Sequence, residues 1–120
     1  MGRFYNLSNG DGGKFWFACQ STADMQMFGG REDGDMLRWQ WNKEDDLEFV
    51  IKTLQECHLE LKQLDTSYRE VMRACNKPHP FPKTGSNEQR AQELTARIVL
   101  GMKIKKGLRE EGYLTGEGEY

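Results

Sequence analysis

Long apolar runs are missing from this chain of 120 residues. None approaches the roughly 18 residues that a bilayer span requires, so no membrane partner is expected. The opening Met1-Gly2-Arg3-Phe4-Tyr5 lacks the apolar stretch of a secretory leader, and Asn6 stands where a myristoylation signal wants Ser or Thr. A cytoplasmic setting, in a host cell or a bacterium, is the expectation. Cysteine is scarce and odd in number: Cys19, Cys57 and Cys75 form no closely spaced pairs. That argues against a secreted disulfide framework and for reduced thiols. Proline is confined to Pro78, Pro80 and Pro82, alternating with His79 and Phe81. This stretch cannot continue a helix and tends to an extended connector. Neither an internal repeat nor a low-complexity block occurs. A 37% apolar content with a net charge of -2 is the composition of one folded domain.

What is present is dominated by one pattern. Leu47, Val50, Leu54, Cys57, Leu61, Leu64, Tyr68, Val71 and Cys75 follow an unbroken three-four spacing, the a and d positions of four heptads. The spacing predicts a single long helix over 42–76. Its seam, at about 1.5 Å per residue, runs roughly 43 Å, longer than a compact domain of this size is wide. Part of that stripe is therefore expected to meet a second helix, from this chain or from another copy. Asn42 is a good cap, and Glu44, Asp45 and Asp46 sit in the first turn, where the helix dipole favours carboxylates.

The first third reads as sheet, residues 1–41. Lys14 to Gln20 and Met36 to Trp41 alternate large apolar residues with others, and Arg3 to Leu7 is a shorter strand. Ser8 to Gly13, with its Asn-Gly and Asp-Gly pairs, predicts a hairpin turn that makes the first two strands antiparallel neighbours. Ser21 to Phe28 is read as a short helical turn, with a bent strand through Met25 and Met27 as the alternative, and Gly29 to Asp35 as a polar loop. After the proline-rich connector, 77–86, Ser86-Asn87-Glu88-Gln89 fits a capping box. It opens a second helix, 87–112, with Ala91, Leu94, Ile98, Met102 and Leu108 as its apolar side. The tail 113–120, with Gly116 and Gly118, is expected to be flexible. The fold class is then α+β: a three-stranded antiparallel sheet, a long helix and a second antiparallel helix, in the order β-β-β-α-α, as a single domain over 1–112.

No catalytic, metal or cofactor signature holds up. Gly10 to Lys14 resembles part of a phosphate loop, but Phe15 replaces the hydroxyl residue and a strand follows. Asp33-Gly34-Asp35 evokes a calcium loop, yet Arg38 stands where the turn needs glycine. Cys75 with His79, and Cys57 with His58, lack the second tight pair that a closed zinc site requires. Cys19 has neither a strained turn nor a base-pairing spacing to mark it as a nucleophile beside His58. Charge is more informative. Residues 83–109 carry seven basic and two acidic side chains, whereas residues 1–46 carry five basic and eight acidic ones. One helix is basic on an otherwise acidic molecule.

The stretch Gly13-Lys14-Phe15-Trp16-Phe17, then Gln20-Ser21, Asp24 and Phe28-Gly29-Gly30, resembles the opening of small uncharacterised proteins encoded by large DNA viruses and metagenomic relatives. It covers about a quarter of the chain and implies a viral context, in which short proteins often work by occupying a partner's surface. The leading expectation is a noncatalytic protein-interaction module. Its partner or oligomer seam would be Leu47, Val50, Leu54, Leu61, Leu64, Tyr68 and Val71, engaging a protein partner or a second copy as a homo-oligomer. The alternative is nucleic-acid binding through Arg97, Lys103, Lys105, Lys106 and Arg109. A small enzyme, or a small-molecule site lined by Trp16, Trp39 or Trp41, comes third.

Overall fold

The computed structural model describes residues 4–8, 12–14, 27–29, 31–33, 35–74 and 85–118. Four strands come first: β1 (Phe4–Leu7), β2 (Gly12–Lys14), β3 (Arg31–Asp33) and β4 (Asp35–Asn42). Three helices follow, α1 (Lys43–Gln63), α2 (Tyr68–Ala74) and α3 (Asn87–Glu111), and the chain returns to the sheet as β5 (Tyr113–Gly118). The five strands are ordered β2-β1-β5-β4-β3, every pair antiparallel.

This overturns the expected β-β-β-α-α order. The sheet is completed by a strand that follows α3, and among the described residues three helices longer than one turn, rather than two, hold most of the regular structure. The flexible tail is corrected with it. Residues 113–118 form the middle strand, hydrogen-bonded to β1 on one side and β4 on the other. The physical reason lies in register. Leu114 pairs with Trp41, and Gly116 pairs with both Trp39 and Leu7, so one glycine sits between a tryptophan and a leucine in a single cross-strand row. All five residues are buried. A residue without a side chain leaves cross-strand surface for its large neighbours to cover, so here glycine belongs to a strand rather than to a frayed end. The polar loop expected at 29–35 likewise contains β3, which pairs with β4. The hairpin between β1 and β2 is antiparallel, as its turn sequence implies. Residues 15–26 and 75–84 lie outside the described residues, and with them most of the expected second strand, the Ser21 turn, most of the connector, and Cys19, Cys75 and His79.

The single long helix is also corrected. α1 stops at Gln63, and Asp65 takes a left-handed conformation at φ 61°. Leu64 N–H donates back to the Glu60 and Leu61 carbonyls, and Ser67 Oγ accepts from Glu70 N–H at 3.3 Å to start α2. Asp65, Thr66 and Ser67 are three short polar residues in a row, each able to bond the backbone in place of a helical neighbour. The heptad spacing survives the break because both segments turn their apolar residues to one core. The molecule is 37 Å along its longest axis, shorter than the seam of the expected rod.

The helix starts obey the capping rules. Asn42 Oδ1 accepts from Asp45 N–H at 2.8 Å, and the buried Asp46 carboxylate accepts from Asn42 N–H at 2.8 Å. Ser86 Oγ accepts from Gln89 N–H at 3.2 Å, while Gln89 Oε1 reaches back to Gly85 N–H. Lys43 N–H donates to the Gly112 carbonyl at 2.9 Å, tying the start of α1 to the end of α3. At the opposite end of the pair, Glu60 of α1 meets Arg90 of α3. α1 and α3 are thus antiparallel neighbours over one core, which gathers Trp41, Phe28, Leu61, Ile98, Ile104 and Leu114. Trp41 Nε1 donates to the Phe28 carbonyl at 3.2 Å, and Trp39 Nε1 is buried without a hydrogen-bond partner.

Candidate interaction surface

The expected seam is occupied by the chain itself. Val50, Leu54, Leu61 and Val71 are buried in the core, and Leu47, Leu64 and Tyr68 pack against it. Fully burying a side chain of this size stabilises the fold by roughly 1.5–3 kcal/mol, and that gain is realised within one chain. Trp39 and Trp41 are 7% and 0% exposed, so neither presents a face for base stacking or a ligand. Trp16 lies outside the described residues.

What remains for a partner is decided by α3. Ala91, Leu94, Thr95 and Ile98 lie on one stripe at helical spacing and are buried. The same stripe continues through Met102, Lys105 and Arg109, and there it opens: Met102 is 42% exposed and Arg109 is on the surface. In this second half the buried side is instead Leu100, Ile104 and Leu108, which join the core. The expected apolar side is therefore corrected at Met102.

Where the stripe opens, two depressions adjoin. One, of about 260 Å³, lies between Ile51, Gln55 and His58 of α1, Tyr68 of α2, and Met102 and Lys105 of α3. The other, of about 250 Å³, is bordered by Met102, Lys105, Lys106, Arg109 and Glu110. Sharing Met102 and Lys105, they make one groove with a thioether where they join and, on the α3 side of its rim, three cations beside the Glu110 carboxylate. The rings of His58 and Tyr68 meet edge to face, 5.6 Å apart at 70°, and fix the α2 wall. Arg69 Nε donates to Tyr68 Oη at 3.2 Å from outside.

Of the five basic residues named for nucleic acid, Lys105, Lys106 and Arg109 share this rim. Arg97 lies on the other flank of the helix pair, beside a small cavity it lines with Glu60 and Arg90. Lys103 is half-buried and already has an interaction partner. On that other flank Arg90 grips Glu60 with both sides of its guanidinium, Nε to Oε2 and Nη2 to Oε1 at 3.0 Å, and Nη1 reaches Glu93 Oε2 at 3.3 Å. The hydrogen bonds from Arg90 hold the Glu60 carboxyl below its usual value and raise that of the guanidinium. The two flanks differ in kind: one is neutralised, whereas Lys105, Lys106 and Arg109 have no ion pair among the described residues.

Sequence reasoning missed the α1 wall of this groove. Ile51, Gln55 and His58 of that wall, with Glu44 and Glu48 earlier on α1, follow a four-three-four-three spacing, a second stripe beside the apolar seam. That spacing was the available signal. Among the described residues no group of three or more His, Cys, Asp or Glu side chains is placed to hold a metal ion. Cys57 is buried while its neighbour His58 is exposed, so the two face different ways. Among the described residues, no helix is long and apolar enough to cross a membrane. No protein family, curated protein or solved structure matches this chain.

Proposed function

We propose that the chain is a noncatalytic protein-interaction module whose working surface is the groove between α1, α2 and the second half of α3. The observation that carries this reading is the rim of Lys105, Lys106 and Arg109 around Met102, with no ion pair among the described residues. Methionine adapts to irregular partners, and cations beside an apolar contact supply both register and encounter rate. The resemblance of the 13–30 stretch to proteins of large DNA viruses agrees with a short protein that acts by covering a partner's surface. The reading puts it in the cytoplasm, where its thiols stay reduced.

Nucleic acid is the second reading, favoured by the same three cations. It has lost its stacking platform, since Trp39 and Trp41 are core residues. A photo-crosslinking amino acid placed at position 102 separates the two. Protein adducts that survive nuclease treatment, and are absent when the crosslinker stands at Glu56 on the other flank, support the module. Adducts that are only nucleic acid, or no adduct at all, overturn it.

A further inference from the structure

Taking the groove as the working surface, as proposed above, we infer that its occupant is a second copy of this chain, docked in a closed two-fold dimer. The inference starts from two stripes that share one face of the helix pair. On α1, Glu44, Glu48, Ile51 and Gln55 follow helical spacing. On α3, Met102, Lys105 and Arg109 do the same, with Lys106 beside them. The first stripe begins acidic and the second ends basic.

The antiparallel packing brings those two ends together. Gly112, three residues beyond Arg109, accepts a hydrogen bond from Lys43 N–H, immediately before Glu44. Glu44 and Glu48 thus lie at the same end of the helix pair as Lys105 and Arg109, on the neighbouring helix. Glu44, Glu48, Lys106 and Arg109 are exposed, and with Lys105 they have no ion pair among the described residues. Both signs are available and neither is used.

A two-fold axis running along the groove, parallel to the helices, exchanges its two sides without exchanging its ends. That operation lays Glu44 and Glu48 of one protomer on Lys105 and Arg109 of its partner, and does so twice. Ile51 of each protomer meets Met102 of the other copy at the centre, so apolar contact lies inside and charge at the rim. The contact is isologous, with the same patch used by both protomers, and it closes at two copies. A long polyanion fits less well, because Glu44 and Glu48 lie at the same end as the cations and would repel it there.

The test is mass in solution by light scattering and sedimentation over a range of concentrations. The parent chain should pass from monomer to dimer, and the midpoint should rise at least about tenfold from low to high salt as the charge pairs are screened. Lys105→Glu with Arg109→Glu should be monomeric, and so should Glu44→Lys with Glu48→Lys. Mixing these two charge-reversed proteins should restore a species of twice the mass. Glu56→Lys, on the other flank, should leave the dimer unchanged, and circular dichroism checks that each variant is folded. A monomer at every concentration, a dimer indifferent to both reversals, failure of the mixture to pair, or growth beyond two copies would each overturn the inference. Protein adducts at position 102 from a chain that stays monomeric would leave the groove as the working surface and remove only the second copy.

Discussion

At Gly101 the ring of Phe28 and a methyl group of Leu54 occupy the space where a side chain would begin. A Cβ there would stand 2.4 Å from Phe28 Cζ and 2.7 Å from Leu54 Cδ2. Alanine in a helix interior is ordinarily better than glycine by about 1 kcal/mol, and forcing a methyl into a packed core costs about 1–3 kcal/mol. The second effect wins because Phe28 is fully buried and has nowhere to swing. Gly101→Ala should lower stability by about 1–2 kcal/mol in urea unfolding. The double variant with Phe28→Leu should lose less than the two single losses combined. This position was illegible in the sequence, where glycine inside a helical pattern registers only as a weak spot. The inward side of β4 was legible, because the alternation of Trp39 and Trp41 with Gln40 is a local signal. Which residue they face across the sheet depended on Gly116, far along the chain.

Among the elements, α1 shows how much a periodicity can carry. Asn42 as its cap, the acidic first turn and the burial of Val50, Leu54, Cys57 and Leu61 all follow from local rules. Its length did not, since a heptad count registers only which side is apolar. A turn at Asp65 that returns the chain to the same core leaves that count intact. Leu61 and Leu59 separate seam from surface on this one helix, at 0% and 57% exposure. Leu61→Ala should cost about 2–5 kcal/mol, whereas Leu59→Ala should stay within about 0.5 kcal/mol of the parent, both measured by chemical denaturation. The Glu60–Arg90 pair fastens α1 to α3 at a site more than a third exposed, so it is worth no more than about 1 kcal/mol. Arg90 depresses the Glu60 carboxyl from its usual 4.5, so the stabilisation is present above that value and lost as pH falls through the lower value of the folded state. Arg90→Gln should therefore be less stable than the parent at neutral pH, and the gap should close in acid once Glu60 is protonated.

For the molecule as a whole, the sheet was the least legible feature, and the reason is contact distance. β5 joins β1 to β4, pairing Tyr5 with Gly118 and Asn42 with Tyr113, and no local pattern announces a partner that distant. Tyr113, Leu114 and Thr115 suit a strand, but Gly116 and Gly118 read as an end. The groove was half legible: the basic run on α3 stood out, while its α1 wall was masked by the stronger seam beside it. Truncation after Gly112 distinguishes a middle strand from a loose tail. It should abolish the cooperative unfolding transition and leave an aggregation-prone chain, because β1 and β4 would each be left with an open edge. A tail without a partner would be removed at no cost.

The position of β5 also sets an order of events during synthesis. As a ribosome makes the chain, β1, β4 and all three helices emerge before the strand that fastens them together. The nascent polypeptide can form its helix pair early, yet the two halves of the sheet stay unjoined until residues 113–118 clear the exit tunnel. Until then the tryptophan-bearing strand has no neighbour on its inner side, and that interval is when its unpaired edge is most open to pairing with another chain.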